Sequence, residues 1–223
     1  MTITHIPSEE ILLDYASGSL NEVWSLAVAT HLSLCPQSRQ IVSDMEAIGG
    51  KLLSEIDDIS VSPDLLGKIT ANIDAETADN ETAYNTVEFD EKTSDSYCLP
   101  EPLRSYAGGD VDDLKWKKFG SSAQQTLVLT GSSGTVARLL RIPAGKPVPE
   151  HTHSGQEMTL VLDGAFEDHT GIYGRGDFQQ ANESLMHQPY AVPGDDCICL
   201  AVTDSPLHFK SFAARLLQPV IGI

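Results

Sequence analysis

Four side chains in the C-terminal half of the chain are of the types, and at the spacing, that hold a metal ion: His151, His153, Glu157 and His187. The segment GKPVPEHTHSGQEMTLVLDG reads Gly145-x5-His151-x-His153-x3-Glu157-x6-Gly164. Two histidines two apart on a strand project to one face, because successive strand residues alternate sides. Ser154-Gly155 supplies a bend, beyond which the Glu157 carboxylate can return to that face as an oxygen ligand. Neutral imidazoles and a carboxylate together suit Zn, Fe, Mn, Ni or Cu. A lone histidine is more often a core or surface residue than a ligand, but four ligand types in one pattern favour a metal.

Two further groups could do chemistry. His31-x3-Cys35 puts a nitrogen and a sulfur one helical turn apart on one face, a spacing a metal accepts but weak evidence alone. Cys197 and Cys199 are two apart on a predicted strand and face one way, either as small apolar core residues or as redox-sensitive thiols near the metal. Their Cα separation in an extended strand, roughly 6.5–7 Å, is near the limit for a disulfide. Cys98 falls in a polar segment and reads as the more exposed thiol. Four cysteines in 223 residues make no disulfide framework and fit a reducing compartment.

The elements that must position these groups divide the chain. Residues 8–17 predict a helix with Ser8 as N-cap and Gly18 as stop. A second runs from about Asn21 to Leu34 and ends at Cys35-Pro36; a third runs from about Pro36 to Gly49-Gly50 and buries Ile41, Met45 and Ile48. A fourth is predicted over 62–74. Residues 1–75 thus read as a small helical unit and 76–102 as an acidic, aliphatic-poor linker joining two cores that should move relative to each other. From 103 to 223 short β-rich runs (QTLVLT, GTVARLLRI, EMTLVLDGAFED, GDFQQA, CICLAVT) alternate with turn residues, Gly131 to Gly134 forms a hairpin connection, and no helix longer than a turn is needed. That texture predicts a barrel or sandwich.

The formal charge of -18 is uneven: residues 1–100 carry 18 acids and 4 bases, leaving 14 acids and 10 bases for the remainder. Such a surface repels phosphate backbones and membrane headgroups, so neither direct nucleic-acid binding nor a membrane role is expected. It suits a basic protein partner, or simply aids solubility. No run of about 18 apolar residues and no basic-then-apolar leader is present, and a cytoplasmic address is expected.

The His-x-His-x3-Glu-x6-Gly pattern resembles the first motif of the cupin superfamily. Its second motif follows Gly176-Asp177, with His187 eleven residues after the glycine, although Asn182 and Ser184 stand where Pro and Gly are usual. With His5, the helical unit, the acidic linker, the stretch SLAVATHLSLC and the C-terminal DDCICLAVTDSPL, nearly the whole chain resembles the ChrR family of anti-sigma factors. The resemblance implies an α+β multidomain chain, with a helical anti-sigma domain followed by an all-β cupin barrel of the jelly-roll type. It implies that residues 1–75 hold a group IV (extracytoplasmic-function, ECF) sigma factor inactive and that a zinc-bearing cupin, possible seat of a homodimer contact, governs release on singlet oxygen or related oxidants. The family also implies a second zinc, on a His…His-x3-Cys-x2-Cys pattern. Here only His5, His31 and Cys35 remain as candidates: Ser38 stands at the second cysteine, and His5 is one residue early, with Ile6 at the ligand position. Three ligands leave a structural zinc incomplete. The alternative of a different class is a metal-dependent cupin enzyme, such as a dioxygenase on a small diketone or phenolic substrate.

Overall fold

A computed structural model describes residues 2–79, 97–119, 123–131, 134–205 and 207–209. Helix α1 (Glu9–Ala16) begins where the Ser8 side chain accepts from the Ile11 amide and ends before Gly18, whose φ of 72° takes the left-handed turn. In α2 (Glu22–Leu34), Asn21 Oδ1 accepts from the amides of Val23 and Trp24 at 3.1 and 3.2 Å. Pro36 occupies the first position of α3 (Pro36–Leu53), where no amide donor is needed.

Contrary to the predicted stop at Gly49-Gly50, α3 runs on to Leu53. Both glycines stay helical, and Gly50 O still accepts from the Ser54 amide at 3.0 Å. Two helical glycines cost about 2 kcal/mol in propensity, which sustained hydrogen bonding offsets. Ile48, expected inside, is 63% exposed. Helix α4 (Leu65–Asp79) starts later than predicted and passes beyond residue 75. Most of the expected linker, residues 80–96, lies outside the described residues.

A fifth helix, α5 (Glu101–Ala107), forms where none was expected. Its signals were present: an acid and a proline in the first turn, and Gly108 as a left-handed stop at φ 82°. Leu99 and Leu103, both fully buried, fasten it beside α2.

The strands are β1 (Lys117–Phe119), β2 (Ala123–Thr130), β3 (Val136–Ile142), β4 (His151–His153), β5 (Glu157–Asp163), β6 (Ala165–Asp168), β7 (Gly171–Gly174), β8 (Phe178–Ala181), β9 (Tyr190–Ala191), β10 (Cys197–Thr203) and β11 (Leu207–Phe209). Six form one sheet in the order β1-β2-β3-β10-β5-β8, with β7-β6-β9 and the pair β11-β4 as smaller sheets. β2 and β3 pair antiparallel across the Gly131 to Gly134 connection. Gly164, at φ 61°, turns β5 into β6 where an added Cβ would strike the Asp196 carbonyl, so the motif glycine is required there.

Two apolar clusters organise the molecule. One fills the barrel, with Ile142, Val161, Phe166, Tyr173, Cys197 and Cys199. The other lies between the helices and the outer face of the large sheet, joining Leu12, Val28 and Leu103 to Leu139, Leu160, Leu200 and Val202. Where the sequence reading expected two separate cores, helices and sheet here share one apolar cluster. α2 buries Val23, Trp24, Leu26, Ala27, Val28, Thr30, His31 and Leu32, covering most of its circumference. A helix apolar nearly all round needs partners on more than one side, and the sheet supplies the second.

Candidate metal centre

His151 and His153 sit on β4 with Thr152 pointing away, as strand alternation requires. Glu157 opens β5, and His187 meets β4 through a pair of backbone hydrogen bonds with His151, each 3.1 Å. The departure from the usual Pro and Gly before His187 is absorbed locally: Asn182 Oδ1 accepts from the Ser184 amide at 3.0 Å and its hydroxyl at 2.6 Å, an Asx-type turn.

These four residues are buried, and one ligand atom from each lies within 4.8 Å of the others. His151 Nε2 is 3.1 Å from His187 Nε2, which is 3.2 Å from His153 Nε2; Glu157 Oε2 is 3.0 Å from His153 Nε2 and 4.0 Å from His151 Nε2. His151 Nδ1 donates to the Pro149 carbonyl at 2.8 Å, and His187 Nδ1 donates to the Asp168 carboxylate at 2.9 Å. In neutral rings those bonds fix the proton on Nδ1, so both Nε2 lone pairs converge on one point. Burial lowers the pKa of His151 against the pull of Glu157, and pushes that of His153 down to about 4, so both rings are neutral near pH 7. Facing lone pairs 3.1 Å apart repel, and Glu157 Oε2 and His153 Nδ1 are buried without hydrogen bonds. A cation among the donors turns the repulsion into coordination, so the residues fit a metal.

Asp168 orients His187. Burial alone would raise its pKa, but hydrogen bonds from Thr170, Gln179 and His187 outweigh it and hold the carboxyl at about 2. Sequence spacing gave no sign of this residue, because its position follows from how β6 crosses the barrel. Behind the cluster lies a largely apolar cavity of about 50 Å³, walled by Leu140, Val148, Phe166 and Cys199.

Cys197 and Cys199 are free, buried thiols within the barrel core, with Cys199 on the cavity wall. The hydrogen bond with Cys197, then burial, pushes the Cys199 thiol well up and away from thiolate. Cys98 is half-buried, and burial followed by the charges of Asp163 and Asp110 raises it to about 11. Neither thiol is activated as a nucleophile.

The remaining candidates do not assemble into a second centre. Among the described residues the barrel cluster is the one group of three or more His, Cys, Asp or Glu side chains able to share an ion. His31 and Cys35 are neighbours, but His5 lies against the barrel, its ring tilted against that of Tyr173 at a centroid distance of 4.4 Å and its Nδ1 3.6 Å from Asp177 Oδ1. Burial drives His31 down to about 4, despite its bond to the Gly176 carbonyl and the charge of Asp177.

Residues 105–206 match a family model described as the ChrR cupin-like domain. Over 223 residues, covering 100% of both chains, the sequence is 41% identical to the anti-sigma-E factor ChrR of Cereibacter sphaeroides. The crystal structure of Rhodobacter sphaeroides SigE in complex with the anti-sigma ChrR matches with a TM-score of 0.75 and 39% identity, over 91% of this chain and 99% of that one. Both of these relatives are named as anti-sigma factors, not as dioxygenases. Kinship across helices and barrel alike, at this identity, means that the chain belongs to the ChrR family of anti-sigma factors.

Proposed function

We infer that the chain sequesters an ECF sigma factor in the cytoplasm through residues 1–75, and that its barrel is a zinc-bearing regulatory module that responds to singlet oxygen or related oxidants. The observation that carries the binding role is a run of exposed apolar side chains. From Glu46 to Ile73 every residue is exposed, including Leu52, Leu53, Ile56, Ile59, Leu66 and Ile73. On α4, Leu66, Ile69 and Ile73 recur at helical spacing along one face. A contiguous apolar stripe left open to water marks a surface that a partner covers. The charge on residues 1–100 favours a basic partner and should speed its capture at low salt.

For the barrel, the support is the convergent donor set. His151, His153, Glu157 and His187 would hold the ion, with Asp168 and the Pro149 carbonyl fixing the rings of His187 and His151. Zinc suits three neutral imidazoles and a carboxylate, and when bound would supply a Lewis-acidic centre facing the apolar cavity. No helix among the described residues is long and apolar enough to cross a membrane.

The test is co-expression of the full-length chain with its ECF sigma factor. Retention of the sigma factor through purification, lost on Leu66→Asp/Ile69→Asp substitution, is the expected result; no complex with the unsubstituted chain would contradict the reading. Sigma release by singlet oxygen that persists after His151, His153 and Glu157 are all replaced would separate the metal from the response.

A further inference from the structure

The corner between α2 and α3 buries three polar side chains, His31, Cys35 and Ser38, each at most 2% exposed. His31 Nε2 is 2.8 Å from Ser38 Oγ, Ser38 Oγ is 3.3 Å from Cys35 Sγ, and His31 Nδ1 is 3.0 Å from the Gly176 carbonyl oxygen in the turn before β8. A carbonyl can only accept, so Nδ1 carries the proton and donates to Gly176. A buried ring whose hydrogen-bond partners are both neutral has one N–H, which leaves Nε2 to accept from the Ser38 hydroxyl. That uses the single hydroxyl proton, and the Cys35 thiol keeps its own proton facing the oxygen lone pairs.

Both ring nitrogens, the hydroxyl and the thiol proton thereby find partners inside the protein. The Nε2 lone pair and the thiolate that a metal would require are both taken. The backbone of the segment that carries the fourth candidate, His5, is held elsewhere. The amides of Thr4 and His5 donate to Asp177 Oδ1 at 2.7 and 2.8 Å, and His5 O accepts from the Phe178 amide at 2.9 Å. The N-terminal segment is thus bound to the barrel, where Ile3 packs on Gly176.

We propose that His31, Ser38 and Cys35 form a metal-free latch, which closes the α2–α3 corner and pins α2 to the Gly176 turn of the barrel. The helical unit therefore holds no zinc, and its grip on the barrel is independent of metal supply. Ser38 is the deciding residue: a hydroxyl completes the hydrogen-bond chain where a second thiolate would compete for an ion.

The latch is tested on the full-length chain by metal analysis and by cobalt(II) titration, in which thiolate ligation gives an intense near-ultraviolet charge-transfer band. The expected outcome is no metal equivalent, and no such band, that disappears in Cys35→Ala. Ser38→Ala should leave the metal content unchanged while raising the rate of Cys35 alkylation at least tenfold. A metal equivalent or thiolate band lost in Cys35→Ala, or a metal lost in Ser38→Ala, would overturn the proposal. Because the Cys35-dependent signal decides the latch, a chain without barrel metal would contradict the barrel reading and not this one.

Discussion

His187 is held from two sides, by Asp168 at Nδ1 and by backbone exchange with His151, so its Nε2 has one direction to face. Asp168→Asn removes the charge that fixes this tautomer. We expect it to weaken metal retention about 10–100-fold, measured by chelator competition, and unchanged affinity would remove Asp168 from the orienting role. His31 makes a different prediction. Its folded pKa of about 4 lies below the unfolded value of 6.5, so its contribution is full above pH 6.5 and is lost as pH falls toward 4. Between pH 7 and 5 this amounts to about 2 kcal/mol of stability, read by urea unfolding, and His31→Gln should lack that component. The clustering of His151, His153, Glu157 and His187 was legible in the sequence because strand alternation and a short bend leave their spacing little freedom. His5 was misleading for the opposite reason: an N-terminal segment with no element of its own goes where hydrogen bonds take it, here to Asp177.

At the scale of elements, caps were the reliable signals. Ser8, Asn21 and Pro36 start the first three helices because each answers the unpaired amides of a first turn. Gly49-Gly50 did not stop α3, since glycine only permits a left-handed turn and nothing in the contacts there demands one. Ile48 could not be told from a core residue by periodicity, because an interface stripe and a core stripe follow the same spacing. Leu66→Asp/Ile69→Asp separates the two roles. Both positions are exposed in the free chain, so the pair should change its stability by less than about 1 kcal/mol in chemical denaturation. A larger loss would mean that α4 is packed in solution and the stripe is not free for a partner.

Helices and barrel share one apolar cluster, although the sequence read as two separate cores. The clue lay in β5 and β10, where Met158–Leu162 and Cys197–Val202 are apolar or small on both faces, more than a strand with one wet face would be. One face fills the barrel and the other takes α2. Leu200, fully buried at that junction, should cost about 2–5 kcal/mol when replaced by alanine, and calorimetry should show helices and barrel shifting in a single transition. Two transitions, with only one displaced, would mean that the units fold independently. At this scale the central claim is that an acidic helical unit, braced by the barrel, offers its open apolar stripe to a sigma factor. The most direct measurement is the affinity of the purified full-length chain for its ECF sigma factor, with and without Leu66→Asp/Ile69→Asp. The account predicts tight binding that weakens at least 100-fold in the doubly substituted chain; equal affinities, or no binding by either, would contradict it.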